Sequence, residues 1–223
     1  MSPALPPHLL ADWITSRLEP ADGSAHPERA PLPMRSDFDL NPGQHPGDDS
    51  VPLVHAAVLA PLIAYEGGFH VLLTRRSDAM RKHSGQVAFP GGRSDPGETP
   101  VQTALREAHE EIGLDPDLVT VAGLSTPYRT GTGFLITPVV GFIKPGFAPI
   151  ANPDEVADVF ETPFAFLMDP QNHQKRHYDS ADGIRRHFYA MPYERWNIWG
   201  ATAGMLRALY DRLYGAQDAL VDA

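Results

Sequence analysis

The sequence predicts an α/β sandwich built on a mixed sheet. Three observations carry this. Runs of strand type fill most of the chain after residue 51. One amphipathic helix pattern, Pro100–Ile112, interrupts them, and a second, residues 198–214, closes them. No internal repeat orders the strands into blades or coils, so helices and sheet must bury their apolar faces on one another.

The chain of 223 residues suits one domain with appendages. Residues 1–52 hold 10 of its 23 prolines. Within them Leu9, Leu10, Trp13, Ile14 and Leu18 recur at helical spacing, and Pro20 ends the pattern. This predicts a short helix over 7–18 that packs on the main domain or contacts a second copy, so a homodimer is an open option. Residues 20–50, rich in Pro, Gly, Asp and Ser, read as an irregular linker. The expected organisation is therefore a Pro-rich arm over 1–50, a main domain over 51–215 and a tail over 216–223.

In the main domain, 54–64 and 69–74 are strand-like, joined by a hairpin signal at Glu66-Gly67-Gly68. A short strand at 86–89 stops at Pro90-Gly91-Gly92. The first helix follows: Thr99 is a good N-cap, Pro100 suits the first helical position, Gln102 completes a capping box, and Gly113 supplies a left-handed end. Further β-type runs lie at Val119–Leu124, Phe134–Ile143, 156–160 and 186–191, with a helical turn over 163–168. On the last helix, Ile198, Thr202, Met205, Leu206, Leu209 and Leu213 share a face.

Composition excludes several functions. The formal net charge is −10, which disfavours nucleic-acid binding. With no cysteine there is no disulfide, thiolate zinc site or cysteine nucleophile. No stretch is apolar enough for a membrane span, and the N-terminus lacks the features of a signal or transit peptide, so a cytoplasmic location is expected.

The chemistry concentrates in GRSDPGETPVQTALREAHEEIGL, residues 92–114. Val101, Ala104, Leu105, Ala108 and Ile112 form one apolar stripe on its helix. Glu107 and Glu111 lie within about 40° of each other on a neighbouring face, with Glu110 beside them. Three carboxylates on one face repel, and there is no Lys from His83 to Phe142 to offset them. Hard divalent cations among the carboxylates would, and Mg²⁺ keeps waters that phosphates can replace. The Gly91-Gly92 turn lets a backbone carbonyl, that of Gly91, approach the same metal. Arg106 is placed to reach Glu110, or Glu98 if the loop folds back.

This string matches the consensus of the Nudix box, G-x5-E-x7-R-E-U-x-E-E-x-G-U, at every fixed residue. Ala108 stands where a larger aliphatic is usual and implies closer helix packing. The chain is thus identified as a member of the Nudix hydrolases, which implies a Nudix-type α/β/α sandwich and metal-dependent cleavage of a diphosphate. Upstream, LLTRRSDAMRKHSGQVAFPGG resembles the signature of the coenzyme A pyrophosphatases of that superfamily, through Leu72, Leu73, Thr74, Arg76, Ser77, Arg81, Gly85, Phe89, Pro90, Gly91 and Gly92. The stretches Thr137-Pro-Val-Val-Gly141 and Ile198-Trp-Gly-Ala-Thr202 look like the same subfamily.

The resemblance implies a small-molecule substrate, coenzyme A or a derivative, cut to 4′-phosphopantetheine and adenosine 3′,5′-bisphosphate with Mg²⁺ or Mn²⁺. Metal ligands would be Glu107, Glu111, Glu110 and Gly91. Glu110 or Glu155 would serve as base, and Arg106 would orient the glutamates. Arg75, Arg76, Ser77, Arg81 and Phe89 would meet the substrate. The arginines belong to the densest basic cluster of an acidic chain, and arginine holds phosphate bidentately. ADP-ribose, NADH or a nucleoside triphosphate are the alternative substrates. A Nudix-fold binding module without turnover is the alternative class, one expected to lack box carboxylates that this chain retains.

Overall fold

A computed structural model describes residues 7–22, 34–44, 52–78, 85–144, 146–180 and 183–218. The elements in chain order are α1 (Pro7–Thr15), β1 (Arg35–Ser36), β2 (Val54–Tyr65), β3 (Gly68–Arg76), β4 (Val87–Ala88), β5 (Gly91–Arg93) and α2 (Pro100–Ile112). Then follow β6 (Val119–Leu124), β7 (Tyr128–Arg129), β8 (Phe134–Ile143), β9 (Val156–Pro163), α3 (Phe164–Leu167), β10 (Gln174–Asp179), β11 (Arg185–Tyr193), β12 (Trp196–Trp199) and α4 (Ala201–Asp218).

The main sheet runs β1-β7-β8-β2-β3-β4, with β5 on β2, β6 on β8 and β9 on β3. It is mixed: β2 and β8 are parallel over Val54–Ile63, and β2 and β3 form an antiparallel hairpin. β2 reads as an unbroken apolar run because both of its faces are covered. Val58, Ala60 and Leu62 enter a core with Ile14, Leu18, Leu206 and Leu213. Ala57, Leu59 and Ile63 enter a second core with Ala104, Ala108 and Ile112 of α2. The result is the α/β/α sandwich.

The small side chain of Ala108 is fully buried in that second core. Gly141 on β8 serves the same close packing, since a Cβ there would meet Val119 Cγ1 at 2.7 Å and Leu59 Cδ1 at 3.2 Å.

α1 ends three residues before the predicted 18, and Leu18 is buried beyond it in an irregular segment. The reading of Ile198 as helical needs correction. Ile198 is fully buried on β12, which pairs with β11 and β10 in a separate antiparallel sheet of three strands. Gly200, at φ 64°, turns the chain from that strand into α4. Among the described residues, no helix is long and apolar enough to cross a membrane.

Part of the arm runs back over the domain. β1 pairs in parallel with β7, Asp37 accepts hydrogen bonds from the Tyr128 hydroxyl (2.9 Å) and the Gly131 amide (2.7 Å), and the side chain of Asn41 exchanges two hydrogen bonds with the backbone of His187. Arg212, nearly inaccessible on α4, donates to the Arg17 carbonyl and to Glu19.

Candidate active site

α2 carries the carboxylates, and its limits are set locally. The Thr99 side chain accepts from the Gln102 amide, Gln102 accepts from the Thr99 amide, and Gly113 closes the helix at φ 66°. Burial of the Ala104–Ala108–Ile112 stripe against β2 turns the next face, with Glu107 and Glu111, toward β5 and the end of β3.

Arg106 is the organising cation. It binds Glu98 with two nitrogens, Nε to Oε1 at 2.8 Å and Nη2 to Oε2 at 3.0 Å. Its Nη1 donates to Glu107 (2.8 Å) and Glu110 (3.1 Å), and Nη2 also donates to the Arg93 carbonyl (3.1 Å). Both alternatives expected for Arg106 are therefore realised at once. Its guanidinium holds the Glu98 carboxyl down at about 2, helped by the Asp95 amide. Loop and helix are thus tied by one planar fork, which a lysine could not imitate.

Glu111 differs from its neighbours. Its side chain is 4% exposed, Oε2 accepts from the Gly91 amide at 3.3 Å, and Oε1 stands 3.8 Å from Arg76 Nη1. Burial pushes its carboxyl up to about 8; Arg76 and the Gly91 amide oppose this, while Glu107 and Glu155 add to it. Burial also raises Glu107, against the pull of Arg106. Glu155 reaches this group through its loop: the Asn152 amide donates to the Glu111 carbonyl (2.8 Å) and the Ser77 amide to the Glu155 carbonyl (2.8 Å).

Among the described residues, no three His, Cys, Asp or Glu side chains stand grouped as a ready ligand set. Glu107 is turned to Arg106 and Glu111 to Gly91. The donor chemistry nonetheless fits a hard divalent cation: every candidate atom is oxygen, and Glu107, Glu110 and Glu111 outnumber the two arginines, Arg76 and Arg106, that stand against them. Gly92 leaves the space open, since a Cβ there would meet the Glu107 carboxylate at 2.5 Å.

Arg76, Gly91 and Gly92, which stand against Glu111 and Glu107, line a cleft of about 610 Å³. Gly91, Gly92, Arg76 and Phe89 lie at one end. The arm segment 35–41 forms one wall, and β11, β12 and the start of α4 form another.

A match to the NUDIX domain family covers residues 53–182. The chain belongs to the Nudix hydrolases. Among its relatives is the uncharacterized Nudix hydrolase NudL of Yersinia enterocolitica, 40% identical over 178 residues, 78% of this chain and 88% of the relative. The protein of the same description from Citrobacter koseri is 44% identical over 158 residues, 69% and 80% of the two chains. The crystal structure of the Nudix hydrolase RenU from M. Smegmatis is 22% identical, with a TM-score of 0.47 over 76% of this chain and 89% of that one.

The remaining residues singled out in the sequence fall in different places. Arg75 is held by Asp158 (2.7 Å) and Asp78 (2.9 Å) and does not line the cleft. Ser77 is buried and acts through its backbone latch to Glu155. Phe89 is buried beneath the cleft as part of the core. Arg81 lies outside the described residues. Glu110 is half exposed and paired with Arg106. The subfamily-like Thr202 has a structural role in this Nudix chain: its hydroxyl donates to the buried Val87 carbonyl at 3.0 Å and pins α4 to the strand before Phe89.

The cleft walls escaped the sequence reading. Tyr128, Phe188 and the segment 35–41 line it outside any recognisable motif, and Trp199 lines it from within the 198–202 stretch. The available signal was the aromatic density between residues 178 and 199.

Proposed function

We propose that this Nudix hydrolase cleaves the diphosphate of coenzyme A or its derivatives, with Mg²⁺ or Mn²⁺, to 4′-phosphopantetheine or its acyl form and adenosine 3′,5′-bisphosphate. The observation that supports the reading is the meeting of two motifs at one point. Arg76 and Gly91-Gly92 of the 72–92 stretch line one cleft and stand directly against Glu111 and Glu107 of the box.

In this reading Glu107 and Glu111 hold the cation, with the Gly91 carbonyl and Glu110 or Glu155 as further oxygen donors. A divalent ion bound there supplies Lewis-acid stabilisation of the phosphoryl oxygens. Arg106 keeps Glu107 and Glu98 in place and stays clear of the substrate. Arg76, already beside Glu111, offers a bidentate donor to a phosphate that enters the cleft. In the same reading Glu110 or Glu155, the latter on a loop tied to both α2 and the end of β3, takes a proton from the attacking water when it is not a ligand.

The test is turnover on a panel of coenzyme A, an acyl-coenzyme A, ADP-ribose and NADH with Mg²⁺ or Mn²⁺ and identification of products. Release of adenosine 3′,5′-bisphosphate is the expected result. Cleavage of ADP-ribose without it would overturn the substrate.

A further inference from the structure

The short strand β5 divides its three residues between the two faces of the sheet. In an antiparallel pair, residues directly opposite project to the same face, and successive residues alternate. Gly91 is opposite Val58, Gly92 is opposite Ala57, and Arg93 is opposite Ala56. Ala57 belongs to the core under α2, and a Cβ on Gly92 would run into the Glu107 carboxylate, so residue 92 faces the box helix. Ala56 and Val58 line the cleft, and a Cβ on Gly91 would meet Val58 Cγ1 at 2.7 Å, so residues 91 and 93 face the other way. Arg93 therefore projects into the cleft, and it is among the residues that line it. Among the described strands β5 pairs with β2 alone, so its outer edge is open. That edge stands between Glu107 on one face and Arg93 on the other, one residue apart.

Four arginines line this cleft among the described residues: Arg35, Arg76, Arg93 and Arg186. Arg35 is occupied by Asp39 and Asp211, Arg76 stands against Glu111, and Arg186 is engaged by the Ser180 hydroxyl. Arg93 is held differently, by its backbone. Its carbonyl accepts from Arg106 Nη2 at 3.1 Å, which ties β5 to the fork on Glu98. Its side chain is exposed, and among the described residues no hydrogen bond or ion pair engages its guanidinium. The carboxylates of α2 that would capture a neighbouring arginine lie behind the strand. In a chain of net charge −10, a guanidinium without a counter-ion inside a cleft presents its fork of donors to whatever anion enters.

We propose that Arg93 binds the substrate's diphosphate from the cleft side and sets the affinity for it. The proposal rests on the diphosphate-hydrolase reading of the site and deepens it, because it names a residue that neither motif assigns. A diphosphate laid across the open edge of β5 presents one phosphoryl group to the Glu107–Glu111 side and the other to Arg93. The guanidinium fork matches two non-bridging oxygens of that second group, and a lysine would match one. The contact needs no movement of the strand, since the Arg93 backbone is already fixed by Arg106.

The test is calorimetric binding of methylenediphosphonate to the full chain with Mg²⁺ present. This probe carries two linked phosphoryl groups, and its P–C–P bridge is not hydrolysed. Arg93→Gln should weaken binding about tenfold, and Arg93→Lys should weaken it less, because the charge stays while the fork is lost. Arg195→Gln removes an equal charge from a side chain that is 75% exposed and outside the cleft, and should bind as wild type does. All three variants should melt within about 2 °C of wild type, since Arg93 is exposed and Arg106 bonds only its backbone. In turnover of coenzyme A, Arg93→Gln should raise KM about tenfold and change kcat little. Unchanged diphosphonate affinity in Arg93→Gln, an equal loss in Arg195→Gln, a turnover loss confined to kcat, or no measurable binding by wild type overturns the proposal. If coenzyme A is cut while Arg93→Gln binds and turns over normally, only this placement fails. If coenzyme A is not cut but Arg93→Gln loses the diphosphonate, the substrate reading fails and the Arg93 contact stands.

Discussion

Replacing Gly92 with Ala tests whether the site depends on the position of Glu107. A Cβ at residue 92 would sit 2.5 Å from Glu107 Cδ and Oε2 and 2.6 Å from Oε1. Ordinary contact begins near 3.4 Å, so the carboxylate must retreat by about 1 Å. Retreat is tolerable for the fold, since what moves is the far end of a side chain, at most at the expense of its bond to Arg106, and Gly92 has no left-handed φ to lose. It is costly for chemistry, because a misplacement of about 1 Å can lower a rate by about 100-fold. Gly92→Ala should therefore keep its Tm within about 3 °C of wild type and lose about two orders of magnitude in kcat with Mg²⁺. Gly91→Ala is the contrast: its Cβ would strike the Ala57 carbonyl at 2.5 Å and Val58 Cα at 2.6 Å, backbone atoms of the central strand. That variant should fold poorly. Wild-type turnover by Gly92→Ala, or unfolding as severe as that of Gly91→Ala, would refute the reasoning.

Two further outcomes follow from buried groups. Glu111→Gln should leave the fold intact, since it replaces a buried carboxyl by its isostere, while turnover drops by orders of magnitude and the Mg²⁺-dependent rise in Tm disappears; retained activity would remove Glu111 from the site. His173 is 8% exposed, its Nε2 donates to the Leu167 carbonyl (2.8 Å), and its Nδ1 is buried without a hydrogen-bond partner. Burial lowers its pKa below 6.5, so below that pH the unfolded chain binds more protons than the folded one. Its contribution to stability should be present above about pH 6.5 and decline as pH falls toward the folded pKa. Urea denaturation from pH 7.5 to 5 measures the decline, and His173→Gln should flatten it.

The parts of the fold legible in the sequence are those whose signals are local. α2 begins and ends where Thr99, Pro100, Gln102 and Gly113 place it, because each acts within one turn of the helix end. The Glu107–Glu111 face was legible for the same reason: helical geometry alone puts those side chains together. β10 was not seen because its six residues are all exposed and show no apolar alternation. Ile198 was misplaced because a buried strand and a buried helix edge look alike over four residues, and only the left-handed Gly200 separates them. The segment 35–41 read as linker because what orders it lies far along the chain, in Tyr128, Gly131 and His187.

Those distances also set an order of events during synthesis. Asn41 bonds a residue 146 positions later, and Glu19 bonds one 193 positions later. On a chain made from its N-terminus, β2, β3 and α2 can assemble on the core that lies between them while the arm still lacks its partners. The cleft wall closes only after β11 and α4 have emerged. The arm can therefore begin to dock on β7 but completes its docking only at the end, and loop closures this long favour slow completion. A chain stopped before residue 185 would carry the box carboxylates on their helix with the cleft still open on two sides.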